Sequence, residues 1–545
     1  MKLTILRPFR HGNFKLKALA LLCLLGISWV WTSTSTSTSL MHHVGFRSPA
    51  VSRITEDEMQ QNTLVARQFI NVPVREDEFR EMGKRIQTLT RWLMQIDMKA
   101  NPSNTEAFSE YRSLVEQTIL SLFPFIHRGN EGGSHENSTS FTQLRKSFIP
   151  GSRGIVIPTG IETFRYACHL ILNIRLVVRS KLPIEIAYAG DADLPPPYRS
   201  AFRFLFSLFA LPSVEFLDVS KVLNDTTLRL SDGTSKFAIK PFALLASRFE
   251  EGILADADAV FLQAPEVILD AHSGYLRTGT LFFHDRLVGK GTSDNHQKFW
   301  RLQMKGHTPS ATFNESRAMR GNYGHEQESG VVVVNKGKLS VLMGLMHACW
   351  QNTYKVRELV TYRNTYGDKE TYWMGMELSG VEYAFAKHYG GIIGEVGFGA
   401  GNETVGPMKL VCGSVIAHVD EGERLLWFNG GLVRSKISFE GKQAFMDVKG
   451  ESVGLWVLDG QWWWNIVNDG DTFGGDNWDV ACMEGGTVKS MSLEESGIIE
   501  RSVEKARVVD AIFAELMELP TPRTIQDGGV DETYSGDSVR LERKA

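Results

Sequence analysis

Between residues 154 and 262, short apolar runs alternate with longer stretches in which apolar positions recur every three or four residues. Gly154-Ile-Val-Ile-Pro-Thr-Gly160 predicts a first strand closed by a glycine turn, followed by a helix over Phe164–Arg179. Ile184–Tyr188 predicts a second strand ending in Ala189-Gly190-Asp191, with a helix over Pro195–Phe209. Val214–Leu217 reads as a third strand and Phe237–Phe249 as a further helix. That helix delivers the chain to the apolar run Ile253–Leu262. Strands and helices in strict alternation predict an α/β domain with a doubly wound, mostly parallel sheet.

Outside this core the pattern changes. Phe79, Met82, Ile86, Leu89, Leu93 and Ile96 share the three-four spacing of an amphipathic helix over Glu76–Met98, and a second helix is expected over Glu106–Leu122. Thr32–Asn71 is polar and reads as a flexible stem; Arg128–Ser140 reads as a loop. Thr280–Phe283 and Val331–Val334 predict strands, and Lys338–Trp350 a helix. Leu455–Trp464 is aromatic, Asp469–Asp479 is rich in Gly and Asp, and the charged tail after Pro520 is expected to be disordered. The domains expected are a cytoplasmic tail (1–17), an anchor (18–40), a stem and helical region (41–150), a catalytic domain (151–510) and a tail (511–545).

The N-terminus modifies this picture. Lys2, Arg7, Arg10, Lys15 and Lys17 precede an apolar run from Ala18 to Trp31. Fourteen helical residues reach about 21 Å, short of a hydrocarbon core of about 30 Å. The uncharged Ser/Thr tract that follows would lengthen the span. A cleaved signal peptide is the competing reading, but the basic leading segment favours a signal anchor with a lumenal C-terminus. Sequons at Asn137, Asn224, Asn314 and Asn402 agree with a lumenal body. Outside the anchor stand Cys168, Cys349, Cys412 and Cys482, enough for two disulfides in three connectivities, with no pair at metal-ligand spacing. Cys168 and Cys349, in apolar helical stretches, read better as small buried hydrophobes. A net charge of −4 with mixed signs gives no nucleic-acid footprint.

The chemistry concentrates in Ile253-Leu-Ala-Asp256-Ala-Asp258-Ala-Val-Phe-Leu262, two carboxylates one residue apart inside an apolar run. Buried carboxylates need a cation or donors to stay ionised. At the carboxyl edge of an α/β sheet, where ligands bind, that cation would be a hard divalent metal carrying a phosphorylated ligand.

Six segments occur in order: Ala238–Glu250, the Asp-x-Asp strand, Gly279-Thr-Leu-Phe-Phe-His-Asp-Arg286, Glu326-Gln-Glu-Ser-Gly-Val-Val-Val-Val334, Tyr366-Gly-Asp-Lys-Glu370 and Leu426-Trp-Phe-Asn-Gly430. Together they resemble the fungal α-1,3-mannosyltransferase family of Golgi type II membrane enzymes, over roughly Gly154 to Lys436. The resemblance implies the glycosyltransferase A-type fold, a GDP-mannose donor, Mn²⁺, retention of the α-configuration and mannose-containing glycoprotein acceptors. α-1,2 linkage and a non-catalytic glycan-binding subunit are the alternatives it leaves open.

On this reading Asp256 and Asp258 would ligate Mn²⁺, with Asp256 also facing the donor. His418, in Ile416-Ala-His-Val-Asp-Glu-Gly-Glu-Arg-Leu-Leu-Trp-Phe428, resembles the last metal-ligand motif of glycogenin-type retaining transferases; a core histidine is the alternative. Pro158, Thr159 and Gly160 would approach the nucleotide, and Lys240 would reach a phosphate unless it is a solvated helix-start lysine. Tyr188 or Asp191 would meet guanine or ribose. Asp368 and Glu370 stand where related transferases place acids near sugar and acceptor. Glu328, expected in a turn before the strand Val331–Val334, is a weaker candidate for the β-face of the sugar. Asp285 and Arg286 read as structural. Trp462–Trp464 would offer a sugar-stacking platform with at least one ring in the core.

Overall fold

The computed structural model describes residues 54–98, 106–126, 140–233, 237–287, 294–399, 408–432, 455–464 and 481–516. The expected cytoplasmic tail and anchor, the loop Arg128–Ser140 up to residue 139, the Gly/Asp-rich stretch 469–479 and the tail after Pro520 lie outside them. No helix among the described residues is long and apolar enough to cross a membrane.

The central sheet has six strands: β1 (Ile149–Pro158), β2 (Ile184–Tyr188), β3 (Glu215–Asp218), β4 (Phe249–Ala255), β6 (Thr280–His284) and β7 (Gln327–Asn335). A short β5 (Ala259–Phe261) leaves this sheet. The order is β3-β2-β1-β4-β7-β6, with β1 to β4 mutually parallel and β7 antiparallel to both its neighbours. Five of the six strands therefore run one way, and the predicted mostly parallel α/β sheet is present. Both of its faces are covered. Val156, Leu254, Val332 and Val334 face one core, shared with helices Phe79–Met98, Glu106–Leu122, Ile239–Ala246, Leu339–Gln351 and Thr371–Leu378. Ile155, Ile157, Ile253, Val331 and Val333 face the other, which takes in helices Phe164–Leu172, Pro196–Leu208 and the end of Leu493–Leu516. This alternation is the period-two signature of a strand buried on both sides.

Four boundaries differ from expectation, each for a local reason. The proposed flexible stem contains the helix Glu56–Asn71, started by a capping box in which Thr55 and Glu58 exchange hydrogen bonds. The helix after β1 becomes π-helical over Asn173–Val177, which lets Asn173 pair with both backbone groups of Phe261 at the edge of β5. β7 begins at Gln327, so Glu328 lies within the strand and not in a turn before it. The last helix runs to Leu516 and buries Phe513, past residue 511 where the tail was expected to begin.

A second, antiparallel sheet was not foreseen. It runs β12-β13-β9-β8-β11-β14, built from β8 (Gly391–Gly399), β9 (Met408–Val419), β11 (Leu455–Leu458), β12 (Gln461–Trp464), β13 (Ala481–Glu484) and β14 (Thr487–Ser490). Between the sheets, β10 (Leu425–Asn429) pairs with β9 on one side and β5 on the other. A Cys412–Cys482 disulfide joins directly paired residues of β9 and β13, while Cys168 and Cys349 are free and buried as expected. Trp462 is a core residue: it is 2% exposed and donates to the Gly390 carbonyl.

Close helix crossings hold the segment before Thr371 in place. A Cβ on Gly375 would come within 2.9 Å of the Gly344 carbonyl oxygen, and one on Gly83 within 2.3 Å of the Leu378 carbonyl oxygen. Alanine would raise helix propensity at Gly83 by about 1 kcal/mol. The clash is with backbone, though, and overpacking of this kind costs about 1–3 kcal/mol. Gly83→Ala is therefore expected to lower the thermal unfolding midpoint, against propensity; a midpoint equal to or above wild type would show that these helices are free to separate.

Candidate active site

Because β1 to β4 are parallel and β7 is reversed, one edge of the central sheet collects the ends of β1, β2, β3, β4 and β6 and the start of β7. At that edge stand Thr159-Gly160, Ala189–Asp193, Asp218, Asp256, Glu328 and Asp285. The Asp256-Ala-Asp258 turn leaves β4 here. Asp256 N–H donates to the Gly330 carbonyl, and Ala259 N–H closes the turn on the Asp256 carbonyl. The Asp258 carbonyl accepts from Gly430 and Gly431 at the end of β10. Both glycines have positive φ, 133° and 82°, which lets successive N–H groups turn toward one oxygen.

Two lysines organise the charges. Lys240, in the first turn of the buried helix Ile239–Ala246, puts its ammonium 2.8 Å from Asp256 and 3.6 Å from Asp368. It also contacts Ser329 Oγ at 3.3 Å. At 7% exposure Lys240 is no solvated helix-start residue. Burial alone would lower its pKa, but Asp256, Asp368 and Glu328 hold it above the ordinary lysine value. Lys369 bridges Asp285 at 2.6 Å and Glu328 at 3.0 Å. Burial opposes ionisation of both acids, yet chiefly the Lys369 ammonium keeps them below their ordinary values. Glu328 is held from two more sides, by Gly330 N–H at 2.9 Å and Asn429 Nδ2 at 3.0 Å. Removing either lysine would strand buried carboxylates, which is where the large penalties for broken buried pairs arise.

Asp368 and Glu370 play different parts. Asp368 accepts from Tyr372 O–H at 3.0 Å and Ser329 Oγ at 3.4 Å; burial raises its pKa, with Lys240 opposing. The turn that delivers it needs Gly367, whose φ is +62° and whose Cβ would meet the Phe237 ring at 2.9 Å. Glu370 faces away from the lysines. Its oxygens accept from the N–H groups of Glu326 and Gln327 and from Trp373 Nε1, fastening the start of β7 to the helix Thr371–Leu378. It is a structural clamp more than a member of the charge cluster.

His418, opposite Trp427 across β9 and β10, stacks on that ring at 4.3 Å and packs on Phe283 at 5.1 Å. Burial lowers its pKa to about 4, so the imidazole is neutral at pH 7. Its buried Nε2 has no hydrogen-bond partner among the described residues. The donor types therefore fit a hard divalent ion: two carboxylates and one neutral imidazole with an unsatisfied nitrogen. Among the described residues, however, no three or more such groups are gathered in a metal-holding arrangement, and Asp256 is engaged by Lys240.

On the side expected to meet the nucleotide, Gly160 packs closely: a Cβ there would lie 2.2 Å from an Asp193 carboxylate oxygen. Thr159 N–H donates to the Ala187 carbonyl and Asp193 accepts from Ala189 N–H, so Pro158–Gly160 and the end of β2 form one continuous ledge. Tyr188 is buried under the Arg199 guanidinium, which pairs with the exposed Asp191.

Sequence reasoning missed Lys369, set between two nominated acids, and set aside Asp285, which the structure draws into the cluster. Arg286, also set aside, lies over the Trp462 ring and pairs with Asp285 at 3.4 Å, so it borders the cluster. The alternation of acid and lysine in Asp368-Lys369-Glu370 was the available signal, since consecutive turn residues point different ways.

Residues 152–420 match the family described as "Mannosyltransferase putative". The α-1,3-mannosyltransferase MNT2 of Saccharomyces cerevisiae is 26% identical over 312 residues, covering 53% of this chain and 54% of that protein. The same organism's α-1,3-mannosyltransferase MNT3 is 33% identical over 261 residues, covering 43% and 39%. Over residues 152–420 the chain is similar to this mannosyltransferase family, and these relatives are named as fungal α-1,3-mannosyltransferases. The likeness is thus to a glycosyltransferase family, though the chain spans about half the length or less of these relatives. Mouse xyloside xylosyltransferase 1 is a weak structural likeness, with TM-score 0.30, 13% identity, and 43% of this chain and 84% of that one covered.

Burial pushes the Glu370 carboxyl up to about 8, in spite of its three donors, from an ordinary 4.5. Between those values the folded protein holds a proton that the unfolded chain has released. Its contribution to stability is full below pH 4.5 and falls as pH rises, by up to about 1.4 kcal/mol per unit. Denaturant unfolding from pH 5 to 8 should show Glu370→Gln with a flatter pH dependence than wild type. Parallel curves would refute a buried neutral acid.

Proposed function

We propose that the chain transfers mannose from GDP-mannose to a mannose-terminated glycan of a glycoprotein, with retention and forming an α-1,3 linkage. The observation that carries this reading is the Asp256-Ala-Asp258 turn at the sheet edge, joined through Lys240 to Asp368. The family likeness supports mannosyl transfer, and the names of the relatives support the α-1,3 linkage. With every group ionised, Asp256, Asp368, Asp285 and Glu328 outnumber the cations Lys240, Lys369 and Arg286 by one, and Asp258 adds a further negative charge. Such an excess favours a divalent cation over a bare anionic donor.

Asp256, Asp258 and His418 would hold Mn²⁺, which supplies charge neutralisation for the leaving diphosphate. The remaining work falls to the chain's own residues. Pro158–Gly160 and the β2 ledge offer backbone surface to the nucleotide. Lys240 steadies Asp368 and Asp256 against mutual repulsion. Glu328, fixed by Lys369, Asn429 and Gly330, presents an anionic face toward which positive charge at the anomeric carbon would be drawn. The basic N-terminal segment and apolar run support a type II membrane anchor with this domain in the lumen, and the resemblance to the family supports the Golgi as its site.

The test is turnover of GDP-mannose by the full chain with methyl α-mannoside, in Mn²⁺ or EDTA. Asp258→Ala should lower turnover by on the order of 10²-fold or more at an unchanged melting temperature, with an α-1,3 product from wild type. Turnover indifferent to both EDTA and Asp258→Ala would overturn the metal reading. An α-1,2 product would move only the linkage, and binding of mannan without turnover of any donor would favour a glycan-binding subunit.

A further inference from the structure

Tyr366 is 63% exposed, an unusual position for an aromatic ring immediately beside a buried charge cluster. It is held there by construction. Gly367, at φ +62°, packs against the Phe237 ring, and the Tyr366 and Phe237 centroids lie 5.7 Å apart at 48°. The His325 ring is 6.4 Å from Tyr366 on another side. Each of the cluster's two lysines lies near one ring of this pair: the Lys369 ammonium is 6.0 Å from the Tyr366 centroid and the Lys240 ammonium 5.9 Å from that of Phe237. The two rings therefore form a propped aromatic rim over both carboxylate–lysine–carboxylate units.

An exposed ring face beside polar groups suits a ligand with one apolar face and a hydroxylated perimeter, which describes a pyranose. We propose that Tyr366, supported by Phe237, is a stacking subsite for a pyranose ring of the acceptor glycan. The inference rests on the proposed transferase reading and adds the acceptor's place to it. The guanine base would be the other flat ligand, but the Pro158–Gly160 and β2 ledge lies across β4 from β7, on the far side of Asp256. The acceptor sugar is thereby favoured at Tyr366.

In steady-state kinetics of the full chain, Tyr366→Ala should raise the KM for methyl α-mannoside about tenfold, the factor that corresponds to about 1.4 kcal/mol. The KM for GDP-mannose should stay within twofold, and Tyr366→Trp should restore acceptor KM. An unchanged acceptor KM overturns the proposal, and so does a rise in the KM for GDP-mannose, which would assign the ring to the base. Saturation-transfer NMR with methyl α-mannoside reads the same contact without turnover: the signal should fall in Tyr366→Ala and return in Tyr366→Trp. If wild type consumes no GDP-mannose, the transferase reading fails, while this binding signal still decides the subsite.

Discussion

The site depends on balancing four carboxylates where water scarcely reaches. Asp285, Glu328 and Asp368 are each 2% exposed or less, and an isolated carboxylate at such depth would take up a proton. Two lysines supplied by different parts of the chain oppose this, one from the helix before β4 and one from the turn before Thr371. Each ammonium bridges two acids from separate elements, so the charge pairs also act as ties among β4, β6, β7 and that turn. Polar groups at the sheet edge thus serve as structure and as chemistry together.

Around this centre the fold solves a geometric problem. The parallel strands place several chain ends at one edge, but residues on β9 and β10 would be remote without a connection. β5 and β10 provide it, carrying the chain from the Asp-x-Asp turn into the antiparallel sheet and placing His418 and Asn429 within reach of the cluster. On the opposite flank, Asp510 of the last helix pairs with Arg165 and, at 2.8 Å, with His169. That docking closes the second core over Phe164 and Phe513.

Much of the central sheet was legible because its strands are apolar on both faces and bounded by turn residues; Ile184–Tyr188 falls where the pattern places it. β7 was foreshortened because Gln327, Glu328 and Ser329 are polar, and a polar run reads as a turn although all three are buried. Periodicity cannot distinguish a polar residue in water from one satisfied by a lysine far away in the sequence. The same blindness hid Lys369 and Asp285. The second sheet was lost for another reason: its strands other than β9 are short or rich in glycine, and its order pairs residues as distant as Cys412 and Cys482. The family motifs nominated Asp256, Asp368 and Glu328, which the structure sets against Lys240 and Lys369. They misplaced Glu370 because a motif records proximity in the chain, not the direction in which a side chain leaves the backbone.

The Asp258 carbonyl, gripped by the backbone N–H groups of Gly430 and Gly431, has a consequence for engineering. The tripeptide Asp256-Ala-Asp258 has no self-sufficient shape; residues about 170 positions downstream impose its curvature. Transplanting the three residues, or even all of β4, into another scaffold would carry the carboxylates without their mould. A faithful graft would have to be discontinuous, taking Leu425–Gly431 as a second splint, and libraries that randomise that glycine pair would be altering the geometry of this carboxylate turn from a distance.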